Sequence, residues 1–228
     1  MRQIAIFGLG SFGSAIAKSL AKGGAEVIAV DKDKEKVEEI KEYVTVAVAC
    51  NSTDEKTLKN LGLENVDIAV VAIGEDVEAA LLTTILLKKI GVPSIFSRAI
   101  TPTQKEILKA IGVDRIIEVE EEMGKEIANT IIAPKFLKRV ALSEEHAIVE
   151  IKVPEKFVGK KISELKLRQK NKVNIVAIKR SVPDIDRANG SRKFKEVIDT
   201  VPDPETIFDE NDIIIIAGKD KDIKKLSE

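Results

Sequence analysis

The apolar residues in the first half of the chain fall into short, nearly unbroken runs, and each run is followed by a stretch with helical spacing. Ile4-Ala5-Ile6-Phe7 leads into glycines and a helix over 11–22. A strand over 26–30 precedes a helix over 34–42, and a strand over 44–50 precedes a helix over 54–61, with Ser52 and Glu55 spaced as a capping box. The rhythm repeats with a strand over 68–73 and a long helix over 76–90 closed by Gly91. It continues with a strand over 94–98, a helix over 103–111 closed by Gly112, and a strand over 115–119. Strands without polar alternation, joined by helical crossovers, predict a parallel sheet covered on both faces. The fold class is α/β, a Rossmann-like doubly wound parallel sheet.

The pattern then changes. A helix over 120–132 carries Met123, Ile127, Ala128, Ile131 and Ile132 on a broad apolar face, Pro134 ends it, and Phe136-Leu137 opens a short turn. Beyond 141 come a strand over 147–153, a short helix over 162–170 and a strand over 173–180. A polar loop through Pro183, Asn189 and Gly190, a Pro202-Asp203-Pro204 turn, a strand over 212–217 and a terminal helix complete the chain. The expected domains are 1–119 for nucleotide binding, 120–140 as a crossover helix and linker, and 141–228 as a small α+β regulatory or dimerising unit. The helix around Ala79 to Leu87 is apolar nearly all round, so one side can pack on the sheet while the other needs cover. Homo-oligomerisation is expected, with burial of both helices inside a single chain as the alternative.

Composition narrows the function. The 228 residues are 44% hydrophobic and 33% charged, with a formal net charge of -1 and no basic stripe, which gives a nucleic-acid partner no support. One cysteine, Cys50, excludes an internal disulfide, and no long apolar run or leader is evident, so a cytoplasmic protein is expected.

The chemistry is concentrated in Gly8-Leu9-Gly10-Ser11-Phe12-Gly13 and Asp31. Gly8 allows a tight strand-to-helix turn, Gly10 lets a pyrophosphate approach the backbone, and Gly13 brings the helix close to the strand. Unpaired N–H groups at the helix start would hold phosphates. Asp31 ends the next strand, where its oxygens can accept both hydroxyls of an adenosine ribose and would repel a 2′-phosphate. Lys32 follows it. Asn51, Ser52, Ala72, Ile73, Gly74 and Arg98 stand at or just past other strand ends, and Arg98 is a cation able to fork onto phosphate oxygens. Glu120 either caps the next helix or meets phosphates through a divalent cation. The same glycine motif permits an NAD-dependent dehydrogenase, although His146 opens the second domain, Tyr43 ends a helix remote from the expected strand tips, and Cys50, in or beside a strand, reads as a small core side chain.

These residues resemble the regulator of potassium conductance family, in the form of the cytoplasmic Trk or Ktr potassium-uptake subunit. The resemblance rests on the glycine motif with Asp31, on Val70-Val71-Ala72-Ile73-Gly74, and on Gly112-Val113-Asp114-Arg115-Ile116-Ile117. It continues through Ile148-Val149-Glu150, Val158-Gly159-Lys160, Leu167-Arg168-Gln169-Lys170 and Ile175-Val176-Ala177-Ile178-Lys179-Arg180. It implies a nonenzymatic gating subunit that forms rings, commonly octamers, at the inner face of the plasma membrane on a separate potassium-translocating protein. The implied ligands are NAD(H), ATP and ADP and, as in some relatives, a cyclic dinucleotide between paired C-terminal domains near Arg168 and Ile175. Ser11 stands where relatives carry arginine, which argues against a strict ATP preference.

Overall fold

A computed structural model describes residues 2–132, 136–185 and 192–227. The expectations for Pro134, Asn189 and Gly190 lie outside the described residues. The chain divides into two compact units, Met1–Gly124 and Lys125–Glu228.

The first unit alternates strand and helix. In chain order it runs β1 (Gln3–Phe7), α1 (Ser11–Lys22), β2 (Glu26–Asp31), α2 (Lys34–Ile40), β3 (Val46–Ala49) and α3 (Glu55–Lys59). It continues with β4 (Ile68–Val71), α4 (Val77–Ile90), β5 (Ser94–Arg98), α5 (Pro102–Ile111), β6 (Arg115–Ile117) and the start of α6 (Val119–Ile132). The six strands are parallel in the order β3-β2-β1-β4-β5-β6. That order reverses direction between β1 and β4, and the crevice beyond the strand ends at such a point is where ligands bind in open sheets of this kind. One face of the sheet is covered around Ile4, Ile6, Val27 and Ala29, the other around Phe7, Val30, Val71 and Ile95. Burying each large apolar side chain of these clusters contributes about 1.5 to 3 kcal/mol.

Local chemistry sets the helix ends. Asp33, Asp54, Asp76 and Thr101 cap α2, α3, α4 and α5 by accepting from Glu35, Lys56, Ala79 and Gln104 amides. Gly91 and Gly112 close α4 and α5 in the left-handed conformation. The capping box expected from Ser52 is corrected here: Asp54 is the cap of α3, and the Ser52 hydroxyl turns instead to Thr83 at 2.8 Å. The carboxylate two residues later is closer to the first helical amides, so it takes the cap.

The second unit contains the end of α6, then β7 (Phe136–Ala141), β8 (His146–Lys152), α7 (Ile162–Leu165), α8 (Leu167–Lys170), β9 (Asn174–Ile185), β10 (Arg192–Asp199), β11 (Ile213–Lys219) and α9 (Asp220–Ser227). Its antiparallel sheet has the order β10-β9-β11-β8-β7 around a core of Val149, Ile151, Phe208, Ile214 and Ile216. Three expectations change. Phe136-Leu137 begins a strand rather than a turn, because Phe136 is buried against the same core while Leu137 and Lys138 are exposed. The expected single helix over 162–170 is two, divided at Lys166 in the left-handed region with φ 49°. The strand ending at 180 extends to Ile185 and pairs with β10.

Candidate functional site

The glycine turn is built by contact. Gly8 has φ +93°, and a Cβ there would stand 2.9 Å from Ile73 Cγ1, so both backbone and space require glycine. Gly13 lies beneath the turn, and a Cβ on it would drive into the Gly8 carbonyl oxygen. Gly10, by contrast, faces open space. It is also the N-cap of α1, where no side chain caps the first amides and no acidic residue occupies the first turn. The uncapped end of this twelve-residue helix therefore presents N–H groups and the positive end of its dipole.

These features open on a cleft of about 640 Å³ at the carboxyl ends of the strands. The structure brings Gly8, Gly10, Ser11, Phe12, Asp31 and Lys32 to its wall from β1, α1 and β2, and Asn51 and Ser52 from the loop after β3. Ala72, Ile73 and Gly74 follow β4, and Arg98 and Glu120 complete the lining from β5 and α6. Gly13 alone of the expected residues lies behind the wall, packed against the turn.

Asp31 is held rigidly. Its Oδ2 accepts from the Leu9 amide at 2.6 Å and its Oδ1 from the Asp33 amide at 2.9 Å, which ties the acid to the middle of the glycine turn. A carboxylate has about four lone-pair sites, so two remain for a ligand. Arg98 lies against Gly74 and 5.7 Å from the Phe12 ring centroid, and it pairs with Glu120. Its Nε–H is buried with no acceptor, a donor whose desolvation is offset only if an acceptor reaches it. Glu120's own backbone amide, and then Arg98, hold its carboxyl below the usual range.

Sequence reasoning did not single out Lys36, Thr53, Glu75, Asp76, Ala79 and Ile100, which also line the cleft. For Asp76 a signal existed: an aspartate opening a helix right after a strand tip must sit at the cleft rim. Lys36 reaches it from the first turn of α2, a placement that spacing alone does not reveal. His146, Tyr43 and Cys50 do not line it. His146 Nδ1 lies 3.1 Å from the Ser143 hydroxyl, Tyr43 lies under the Lys18 ammonium, and burial pushes the Cys50 thiol up.

The TrkA-N domain model matches residues 4–119 and the TrkA-C domain model residues 146–228. The chain is 40% identical over 227 residues to the Ktr system potassium uptake protein C of Bacillus subtilis, covering all of this chain and 96% of that one. The GsuK RCK domain structure is similar in fold, with a TM-score of 0.51 and 22% identity over 98% of this chain and 45% of that longer chain. The NAD(P)-binding domain of an exopolyphosphatase-related protein from Archaeoglobus fulgidus is 26% identical, with a TM-score of 0.52, and covers 58% of this chain and 98% of that one. No helix among the described residues is long and apolar enough to cross a membrane. The chain belongs to the regulator of potassium conductance family, in the form of the Trk and Ktr potassium-uptake proteins.

Proposed function

We propose that this chain is a nucleotide-sensing, nonenzymatic subunit that regulates a separate potassium-translocating membrane protein. The observation that carries the reading is the convergence of the uncapped start of α1, the anchored Asp31 carboxylate and Arg98 on one cleft. Phosphates meet N–H groups and a guanidinium there, and the ribose meets a carboxylate. The ligand is an adenine nucleotide, NAD(H) or ATP and ADP. The similarity to an NAD(P)-binding domain supports the dinucleotide, and the Ktr relative's name supports the potassium-uptake role.

Occupancy acts by favouring one arrangement of a homo-oligomeric ring, an octamer in this reading, at the inner face of the membrane. A ligand can do so only through unequal affinity for the ring's states. The exposed Leu82 and Ile85 on α4, and Met123 on α6, supply apolar surface for subunit contacts. Among the described residues no three His, Cys, Asp or Glu side chains converge as a metal site. Glu120 is one carboxylate already paired with Arg98, so the residues do not form a resident metal site, and a divalent cation at Glu120 requires the nucleotide's own phosphate oxygens. A cyclic dinucleotide at Arg168 and Ile175 is a further ligand in this reading. Arg168 Nε now donates to Asn174 Oδ1 at 2.6 Å, and that ligand would have to displace this bond.

An NAD-dependent dehydrogenase is the competing class. It needs an acid or base beside the nicotinamide; His146, Tyr43 and Cys50 do not line the cleft, so a lysine or an aspartate there would have to serve. Calorimetry with NAD+, NADH, ATP and ADP tests the reading: unequal binding is expected, and no binding of any of them overturns it. Turnover of NAD+ with a hydroxy acid, abolished by one cleft substitution, would favour the enzyme.

A further inference from the structure

A polar contact leads from the cleft into the interior of the first unit. Ser52 lines the cleft, and its hydroxyl lies 2.8 Å from that of Thr83. Thr83 is midway along α4 and completely buried, as is Thr84 beside it. Two successive β-branched hydroxyl residues on the buried side of an otherwise apolar helix are unfavourable for helix formation and for desolvation unless both hydroxyls find partners.

Their partners differ in kind. Thr84 donates to the Ala80 carbonyl of its own helix at 2.7 Å and lies 3.3 Å from Ser97 Oγ, inside the core. Thr83 instead joins a residue of another element that stands at the cleft wall. Either oxygen of that pair can donate, so the direction of the bond depends on what else touches Ser52. The first turn of α4 also meets the cleft, through Asp76 and Ala79. The inward positions Ala80, Thr83, Thr84 and Leu87 lie opposite Leu82 and Ile85, which are 42% and 45% exposed.

We propose that Thr83 is a positioning residue: a nucleotide that engages the Ser52 hydroxyl orients the Ser52–Thr83 bond and thereby fixes the seating of α4, whose far side carries the ridge available to a second subunit. This rests on the nucleotide reading above. Thr83 touches no ligand and acts through Ser52. A ligand accepting from Ser52 makes Thr83 the donor, and a ligand donating to Ser52 lets Thr83 accept. A ligand that draws Ser52 away leaves a buried hydroxyl without this partner, so different occupants hold α4 differently.

The test uses the full chain with NAD+ as probe, calorimetry for occupancy, and hydrogen exchange of residues 83–90, beyond the turn that faces the cleft directly. In the unaltered protein saturating NAD+ slows exchange there. Thr83→Val removes the hydroxyl at nearly constant volume. It is expected to bind NAD+ within about threefold of the unaltered protein, while the NAD+-induced slowing at 83–90 falls by about threefold to tenfold, the range that one net hydrogen bond supplies. Thr83→Ser restores the slowing. Thr84→Val, which disturbs the same core without touching the cleft contact, retains it. Ser52→Ala breaks the same bond from the cleft side without altering the buried helix, and at saturation gives the same loss as Thr83→Val. Full slowing in Thr83→Val, or equal loss in Thr84→Val, overturns the relay. Failure of the unaltered protein to bind NAD+, ATP or ADP overturns the nucleotide reading itself, whereas binding of NAD+ with no change at 83–90 overturns the relay alone.

Discussion

Replacing Asp31 by alanine probes the ribose end of the cleft, and the structure sets the size of the effect. The carboxylate already accepts from the Leu9 and Asp33 amides at 2.6 and 2.9 Å, and its two remaining lone-pair sites suit the 2′- and 3′-hydroxyls. A hydrogen bond to a charged group is worth about 1.5 to 3 kcal/mol, so losing two removes about 3 to 6 kcal/mol, or about a hundredfold to ten-thousandfold in Kd. The Leu9 amide also loses its acceptor, so the unliganded protein should unfold at a lower temperature. Calorimetry should therefore show NAD+ binding weakened at least about a hundredfold. The 2′-deoxyadenosine analogue separates the two effects: it should bind the unaltered protein more weakly than NAD+ does, but bind Asp31→Ala no worse than NAD+ does. Unchanged NAD+ affinity, or an equal penalty for the deoxy analogue in both proteins, would refute the placement of the ribose.

Other perturbations address separate parts of the account. Gly13→Ala forces a methyl group into the Gly8 carbonyl; overpacking of this kind costs about 1 to 3 kcal/mol, so the urea midpoint should fall and nucleotide binding should weaken with it. Glu120→Gln removes a competitor for the Arg98 guanidinium and should tighten nucleotide binding several-fold in the presence of a chelator; weaker binding there would contradict the competition. In the second unit, burial pushes the Asp212 carboxyl up, but the Arg180 side chain and the Asp209 amide outweigh it and hold it below the usual range. A carboxyl depressed in the folded state stabilises fully above its unfolded value near 3.9 and loses that contribution as pH falls through its lower folded value. Asp212→Asn should thus cost about 1.5 to 3 kcal/mol at neutral pH and flatten the loss of stability below pH 4, both read by denaturant titration. Ile85→Glu places a charge on the exposed ridge of α4 and should lower the native mass of the assembly; an unchanged mass would remove that ridge from the subunit contact.

The first unit was legible because its signals are local and redundant. Strands β1 to β4 of the parallel sheet carry unbroken apolar runs, Gly91 and Gly112 close helices by adopting a conformation that glycine tolerates best, and the cleft follows from which residues end the strands. Ser52 misled because two cap-forming residues stand close together, and distance to the helical amides, which the sequence does not print, favoured Asp54. The second unit was harder. In β10 the order Phe194-Lys195-Glu196-Val197-Ile198 lacks clean alternation, and Phe194, Val197 and Ile198 are all exposed, so no burial pattern marked this edge strand. β7 has Phe136 as its one buried residue, with no alternating burial to mark it, and read as a turn. Thr83 had no sequence signal at all, since its role depends on a side chain thirty-one positions away.

The central claim is that occupancy of the cleft sets quaternary shape. Solution scattering of the assembled protein, with no nucleotide and with NAD+, NADH, ATP or ADP at calorimetrically verified saturation, tests it most directly. The account predicts profiles that differ between the empty and occupied assembly and among ligands of unequal affinity. Superimposable profiles at full occupancy would contradict it.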